Sequence, residues 1–362
     1  MFKDSLKCFP ASLALALTAA LCGVSQPTSA SGQSTVQSGP ESPQVESPSD
    51  LGDATEPEPN GASVTEELAS RPEQAETPDQ AVRRLYRFEK NAGLVYKRGE
   101  DYRLTCDVYV PDGDGPYPAI LAIHGGAWRS GSKFHLLRHS WRLARRGYVV
   151  VAINYRHAPD HPWPAQINDA RTAVRWMRSN AQRFKIDPDR IGAYGYSAGG
   201  HMAALLGAAA DESSLDGEED EGLLEFSPAV QCVAAGGAPC EFSWFGENSS
   251  ALAYWLGGSK ADVPENFRQA TPLNYVDRSD PPFYFFHGKE DMVVPHSTSE
   301  KMHEALISAG VDSTYEMIEG KGHMASFSNL DHLNDAIVFF DRVLKPEVGS
   351  NPAPASETGA GR

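Results

Sequence analysis

The sequence predicts an α/β fold in which a mostly parallel sheet is covered by helices on both faces. Apolar runs such as 117–123 and 148–154 are continuous rather than alternating, which is the pattern of strands buried on both sides. Segments of helical pattern separate these runs, as strand–helix alternation requires. Gly-rich turns close several of the runs, and in parallel sheets binding sites form beyond the carboxyl ends of the strands.

Taken in order, residues 103–110 alternate like a strand with one solvated face, ended by Pro111-Asp112-Gly113. The runs at 117–123 and 148–154 are the next strands, with a helical pattern over 136–146 between them. Further strands are expected at 191–194, 230–235, 282–286 and 315–318. Helices are expected at 166–184, 201–210 and 298–309, and a helix over 331–344 closes the fold. The globular part is therefore placed at 81–346.

What lies outside that span has a different composition. Residues 1–30 resemble an export signal: Lys3 and Lys7 precede an apolar run over 11–24, and Thr28-Ser29-Ala30 suits cleavage. That run is short for a membrane span, so no stable insertion is expected after processing to a periplasmic or extracellular form. Cys22 raises a lipoprotein reading, which bulky Leu21 disfavours. Residues 31–80 hold eleven Asp/Glu against one basic residue, Arg71, and no aromatic residue. Such a segment buries too little apolar area to offset its ordering entropy, so it reads as a disordered acidic linker. Residues 347–362 read as a disordered tail.

The formal net charge of -16 disfavours nucleic acid and anionic membrane surfaces as partners. Of five cysteines, Cys106, Cys232 and Cys240 lie in the globular part. Cys232 and Cys240 are near enough in sequence for a small disulfide loop; the alternative is three small buried hydrophobes. No Cys/His spacing suggests zinc, and neither metal nor cofactor is expected.

Chemistry concentrates at Gly195-Tyr196-Ser197-Ala198-Gly199-Gly200, between the strand at 191–194 and the following helix. Strand, tight turn with Ser at its tip, then helix is the layout of a nucleophile elbow. Glycines two positions either side remove side chains that would collide there. His124-Gly125-Gly126-Ala127-Trp128 follows the strand at 117–123, where backbone N–H groups can approach a developing oxyanion. Gly125, Gly126 and Ala198 are the candidate donors. An acid is expected after the Ser at another strand end, and Asp291 in His287-Gly288-Lys289-Glu290-Asp291 fits, with Glu290 directed elsewhere. The base is expected last. His323 fits, in a Gly-bounded loop between the final strand and final helix; His303 and His332 read as surface residues and His201 as structural. Trp128 and Tyr196 are candidate pocket residues, with Trp163, Trp244 and Trp255 as further aromatics near loops. The acidic stretch 211–221 reads as a solvated loop or part of a lid.

Together these motifs, with Asn154-Tyr155-Arg156 and Val294-Pro295, resemble the α/β-hydrolase superfamily over about residues 102–344. The likeness is strongest to secreted bacterial esterases related to hormone-sensitive lipase and to feruloyl and acetyl-xylan esterases. Lipase-like members often carry a third Gly at the position of Ala127; the Ala-Trp variant occurs among feruloyl-esterase-like ones. The resemblance implies a serine carboxylesterase acting on short-chain or carbohydrate-linked esters through Ser197, His323 and Asp291. The alternative is an amidase similar to kynurenine formamidases, against which an export signal argues. A rival of another class is a binding protein on an inactive scaffold.

Overall fold

The computed structural model describes residues 85–217 and 222–345. The expected export signal, acidic linker and C-terminal tail lie outside the described residues. Eight strands form one sheet: β1 (Phe88–Arg98), β2 (Arg103–Pro111), β3 (Tyr117–Ile123), β4 (Val149–Ile153), β5 (Ile186–Tyr196), β6 (Cys232–Gly236), β7 (Phe283–Gly288) and β8 (Ser313–Ile318). Their order is β1-β2-β4-β3-β5-β6-β7-β8. The β1–β2 and β2–β4 pairs are antiparallel, and every pair from β4 through β8 is parallel.

The helices are α1 (Leu137–Arg145), α2 (Ala165–Ser179), α3 (Ala181–Phe184), α4 (Ala198–Ala208), α5 (Ala253–Leu256), α6 (Pro264–Gln269), α7 (Ser297–Ala309), α8 (His323–Ser328) and α9 (Asp331–Leu344). They divide between two cores, one on each face. Ala119, Leu121 and Ile123 of β3 face α2, α4 and α7, packing with Ile167, Val174, Met202, Leu206 and Met302. Ile120 and Ala122 face the other way, toward Leu143 of α1 and Leu333, Ile337 and Phe340 of α9. A strand whose successive side chains enter two separate cores must be apolar throughout, which is why β3 and β4 read as continuous runs.

Three differences from the expected elements have local causes. β1 was not expected, because its sequence has no apolar run; it pairs only with β2 and forms the sheet edge, where one face stays wet. Its register shifts between Asn91 and Leu94, and there Gly93, at φ 68°, donates its N–H to Asp107 at 2.9 Å. The single helix expected over 166–184 breaks at Asn180 into α2 and α3. The stretch 236–281, where no element is expected, contains α5 and α6.

The described part of the acidic stretch, 211–217, is anchored rather than freely solvated. Asp216 binds Arg171 at 2.6 Å and Arg175 at 2.7 Å, and Leu215 is fully buried. Cys106, Cys232 and Cys240 are all free and buried, and burial pushes the Cys106 thiol up to about 12. No helix among the described residues is long and apolar enough to cross a membrane.

Candidate active site

The site residues collect at the carboxyl ends of β3, β5, β7 and β8. Ser197 follows β5 directly, half-buried, with φ 57° and ψ -123°, a conformation that non-glycine residues adopt only under constraint. Two glycines permit it. A Cβ on Gly195 would stand 2.1 Å from the Gly199 carbonyl oxygen, and one on Gly199 would stand 2.0 Å from that of Ile123. Helix α4 starts at Ala198, earlier than expected, so Ser197 sits at its positive end.

Strands β3 and β5 are neighbours, so the loop after β3 runs beside the Ser turn. A Cβ on Gly125 would come within 2.8 Å of the Tyr196 carbonyl oxygen and 3.2 Å of the Ser197 Cβ. The N–H groups of Gly125 and Gly126 are hydrogen-bonded to no acceptor among the described residues.

Asp291 lies three residues beyond β7 and is buried, whereas Glu290 is exposed. Its Oδ1 accepts the N–H groups of Val293 and Val294, each at 2.9 Å. Its Oδ2 faces His323 Nδ1 at 2.6 Å and His287 Nε2 at 3.2 Å. Burial alone would push this carboxyl up, but the His287 and His323 contacts and the Val294 N–H hold it well below the usual carboxylate range. With Nδ1 on Asp291, His323 has its Nε2 on the far side of its ring. His323 is not in a loop, as expected, but is the first residue of α8. The loops that carry the pair are joined: Lys289 N–H donates to the Ile318 carbonyl at 3.0 Å and Glu290 N–H to that of Lys321 at 3.1 Å.

The Tyr196 hydroxyl donates to the His323 carbonyl at 2.6 Å, and the two rings lie 5.1 Å apart, which brings the Ser turn and the His segment together. Tyr196 is thereby buried and acts in packing rather than as the open pocket wall expected of it. Trp128 departs from expectation in the same way. Its ring stacks on Trp255 at 3.6 Å and its Nε1–H donates to His201 at 3.2 Å. Trp163 packs edge-on to Trp255, and Trp244, half-buried, sits against Phe245 instead. His201 is structural, its Nε2 at 2.6 Å from the Ala270 carbonyl. His332 is buried against Glu316 at 2.7 Å, not on the surface, because α9 turns it toward β8.

A family model described as BD-FAE matches residues 106–306, which include Ser197, Asp291 and the loop after β3. The chain belongs to the BD-FAE family. This BD-FAE member is 33% identical over 221 residues to esterase LipC of Mycobacterium tuberculosis, covering 58% of this chain and 53% of that protein. It is 26% identical to isoprenylcysteine alpha-carbonyl methylesterase ICME of Arabidopsis thaliana, over 67% of this chain and 58% of that one. Among solved structures, a truncated carbohydrate esterase from gut microbiota superposes with TM-score 0.61 at 27% identity, covering 73% of this chain and 98% of that one. Esterase 2 of Thermogutta terrifontis gives 0.60 at 26%, over 73% and 95%.

The BD-FAE chain spans about half the length of the curated relatives it matches first. Its fold is the α/β-hydrolase fold, and the domain it shares with these proteins is of the carboxylic ester hydrolase type. All of these named relatives are esterases, which does not favour the amidase alternative. Two site residues had no role from sequence. His287 supports Asp291, and its signal was its place in the strand-end motif with Gly288. Tyr155 touches the loop after β3, and its signal was the Asn154-Tyr155-Arg156 motif.

Proposed function

We propose that this BD-FAE member is a serine carboxylesterase for short-chain or carbohydrate-linked esters, with Ser197 as nucleophile. The observation that carries the reading is the 2.6 Å contact between His323 Nδ1 and a buried, ionised Asp291, joined through Tyr196 to a strained Ser197. In this mechanism Ser197 Oγ attacks the ester carbonyl carbon and its proton passes to His323 Nε2. Asp291 holds the imidazole in the Nδ1–H tautomer and stabilises the imidazolium. Negative charge on the former carbonyl oxygen is met by the N–H groups of Gly125, Gly126 and Ala198. The alcohol departs with the proton from His323. Water then attacks the acyl-enzyme, giving its proton to His323, and the acid leaves as Ser197 recovers its own.

The carbohydrate-linked arm draws on one structural neighbour, the carbohydrate esterase from gut microbiota. The decisive assay is hydrolysis of p-nitrophenyl esters from acetate to decanoate, beside methyl ferulate and acetylated xylan. Ser197→Ala is expected to lose on the order of a million-fold in turnover on whichever of these the wild type cleaves. An organophosphate such as paraoxon is expected to add one phosphoryl group to the wild type and none to the variant. A variant that stayed active, or a label on another residue, would remove Ser197 from the mechanism.

A further inference from the structure

The loop after β3 is tied down one carbonyl at a time. The Tyr155 hydroxyl donates to the His124 carbonyl at 3.0 Å. The His124 Nδ1 stands 2.7 Å from the Gly125 carbonyl. The Gly126 carbonyl accepts the N–H groups of Arg129 and Ser130 and the Ser130 hydroxyl, all at 3.1 Å. In a planar trans peptide the C=O and the following N–H point in opposite directions. Holding the His124 oxygen therefore aims the Gly125 N–H, and holding the Gly125 oxygen aims the Gly126 N–H. Both of these N–H groups are without an acceptor among the described residues.

The two side chains are built for a fixed job. Tyr155 is 3% exposed, and its ring stacks on His124 at 4.2 Å and 16°. Burial pushes the Tyr155 phenol up, so it stays protonated and remains a donor. Burial also pushes His124 down to about 3, so the ring is neutral at ordinary pH. Its Nδ1, facing a carbonyl, then carries the ring's one proton, while Nε2 is buried with no hydrogen-bond partner among the described residues. Tyr155 is in turn fixed by its neighbour: Arg156 donates its backbone N–H and guanidinium to buried Asp169 at 2.7–3.0 Å.

We infer that Tyr155, seated on His124, is a positioning residue that sets the direction of the oxyanion-binding N–H groups of Gly125 and Gly126. The inference rests on the esterase reading above. It assigns Tyr155 an effect on the transition state without contact to substrate.

The test is Tyr155→Phe, which keeps the ring and its stack but removes the hydroxyl. Active sites are first counted by paraoxon titration, so that turnover is expressed per folded site. Loss of aim at one oxyanion donor is expected to lower kcat about tenfold to a hundredfold, with KM unchanged within about twofold. Affinity for a trifluoromethyl ketone, which binds as a tetrahedral adduct, is expected to fall by the same factor. The pH profile is expected to stay in place, since neither latch titrates in the working range. A merely structural role would lower the melting temperature and leave kcat per titrated site and ketone affinity intact, and that result overturns the inference. A rise in KM at constant kcat overturns it as well. If the wild type neither hydrolyses esters nor takes up paraoxon, the Ser197 reading falls and Tyr155 falls with it. An active wild type beside an unaltered Tyr155→Phe removes the positioning role alone.

Discussion

Asp291 receives four hydrogen-bonding contacts in a buried site, two from backbone N–H groups and two from imidazoles. Its charge is therefore held in place before any substrate arrives. Asp291→Asn preserves the shape but presents His323 Nδ1 with an amide that can favour the wrong tautomer. We expect kcat/KM to fall about ten-thousandfold; a variant retaining more than about a tenth of the activity would show that this carboxylate is not the acid. Asp291 and Ser197 were readable in the sequence because each has a strong local signature, a strand end followed by Gly. The choice between Asp291 and Glu290 was also readable, since adjacent side chains in a turn diverge. The roles of His287 and Tyr155 were not, because each depends on a partner brought close by the sheet: Asp291 across the turn and His124 just beyond the end of the neighbouring strand.

At the level of elements, the segment between β6 and β7 matters most beyond the sheet. It contributes Trp255, fully buried, whose ring lies parallel to Trp128 at 3.6 Å. It also contributes Tyr254, whose hydroxyl donates to the Ala127 carbonyl at 2.9 Å. Ala127 and Trp128 both have positive φ, at 50° and 57°, so the loop after β3 is strained and needs these outside contacts. Trp255→Ala removes the stack and leaves a cavity, and is expected to cost about 3–5 kcal/mol of stability. Urea unfolding measures this directly. A loss under about 1 kcal/mol would mean that the loop is held by other contacts. In the sequence these tryptophans stand near loops and suggest a pocket, because an isolated aromatic residue carries no signal for what it stacks on. The short helices α5 and α6 escaped notice for a related reason: at four and six residues, neither is long enough to show a helical period.

For the whole molecule, the main consequence of burial is sensitivity to mild acid. His124 is pushed down by burial to about 3, and His139 and His201 to about 4. The unfolded chain protonates each near the ordinary imidazole value of about 6.5. Between these limits the unfolded state binds protons that the folded state does not, so stability is present above about 6.5 and is lost as pH falls toward the folded values. Each histidine contributes up to about 1.4 kcal/mol per pH unit in that window. We expect the urea midpoint to fall steadily from pH 6.5 to 4.5; a flat midpoint would mean that these rings are not held neutral by the fold. By itself, the sequence determined the fold class and seven of the eight strands, and it nominated Ser197, Asp291 and His323 as site candidates, since hydrophobic period and Gly-bounded strand ends are local properties of the chain. Only the tertiary structure decided the edge strand β1, the burial of Trp128, Tyr196 and His332, and the carbonyl contacts that aim the loop after β3. Those features depend on residues far apart in sequence meeting across the sheet, as Tyr155 meets His124 and Trp255 meets Trp128.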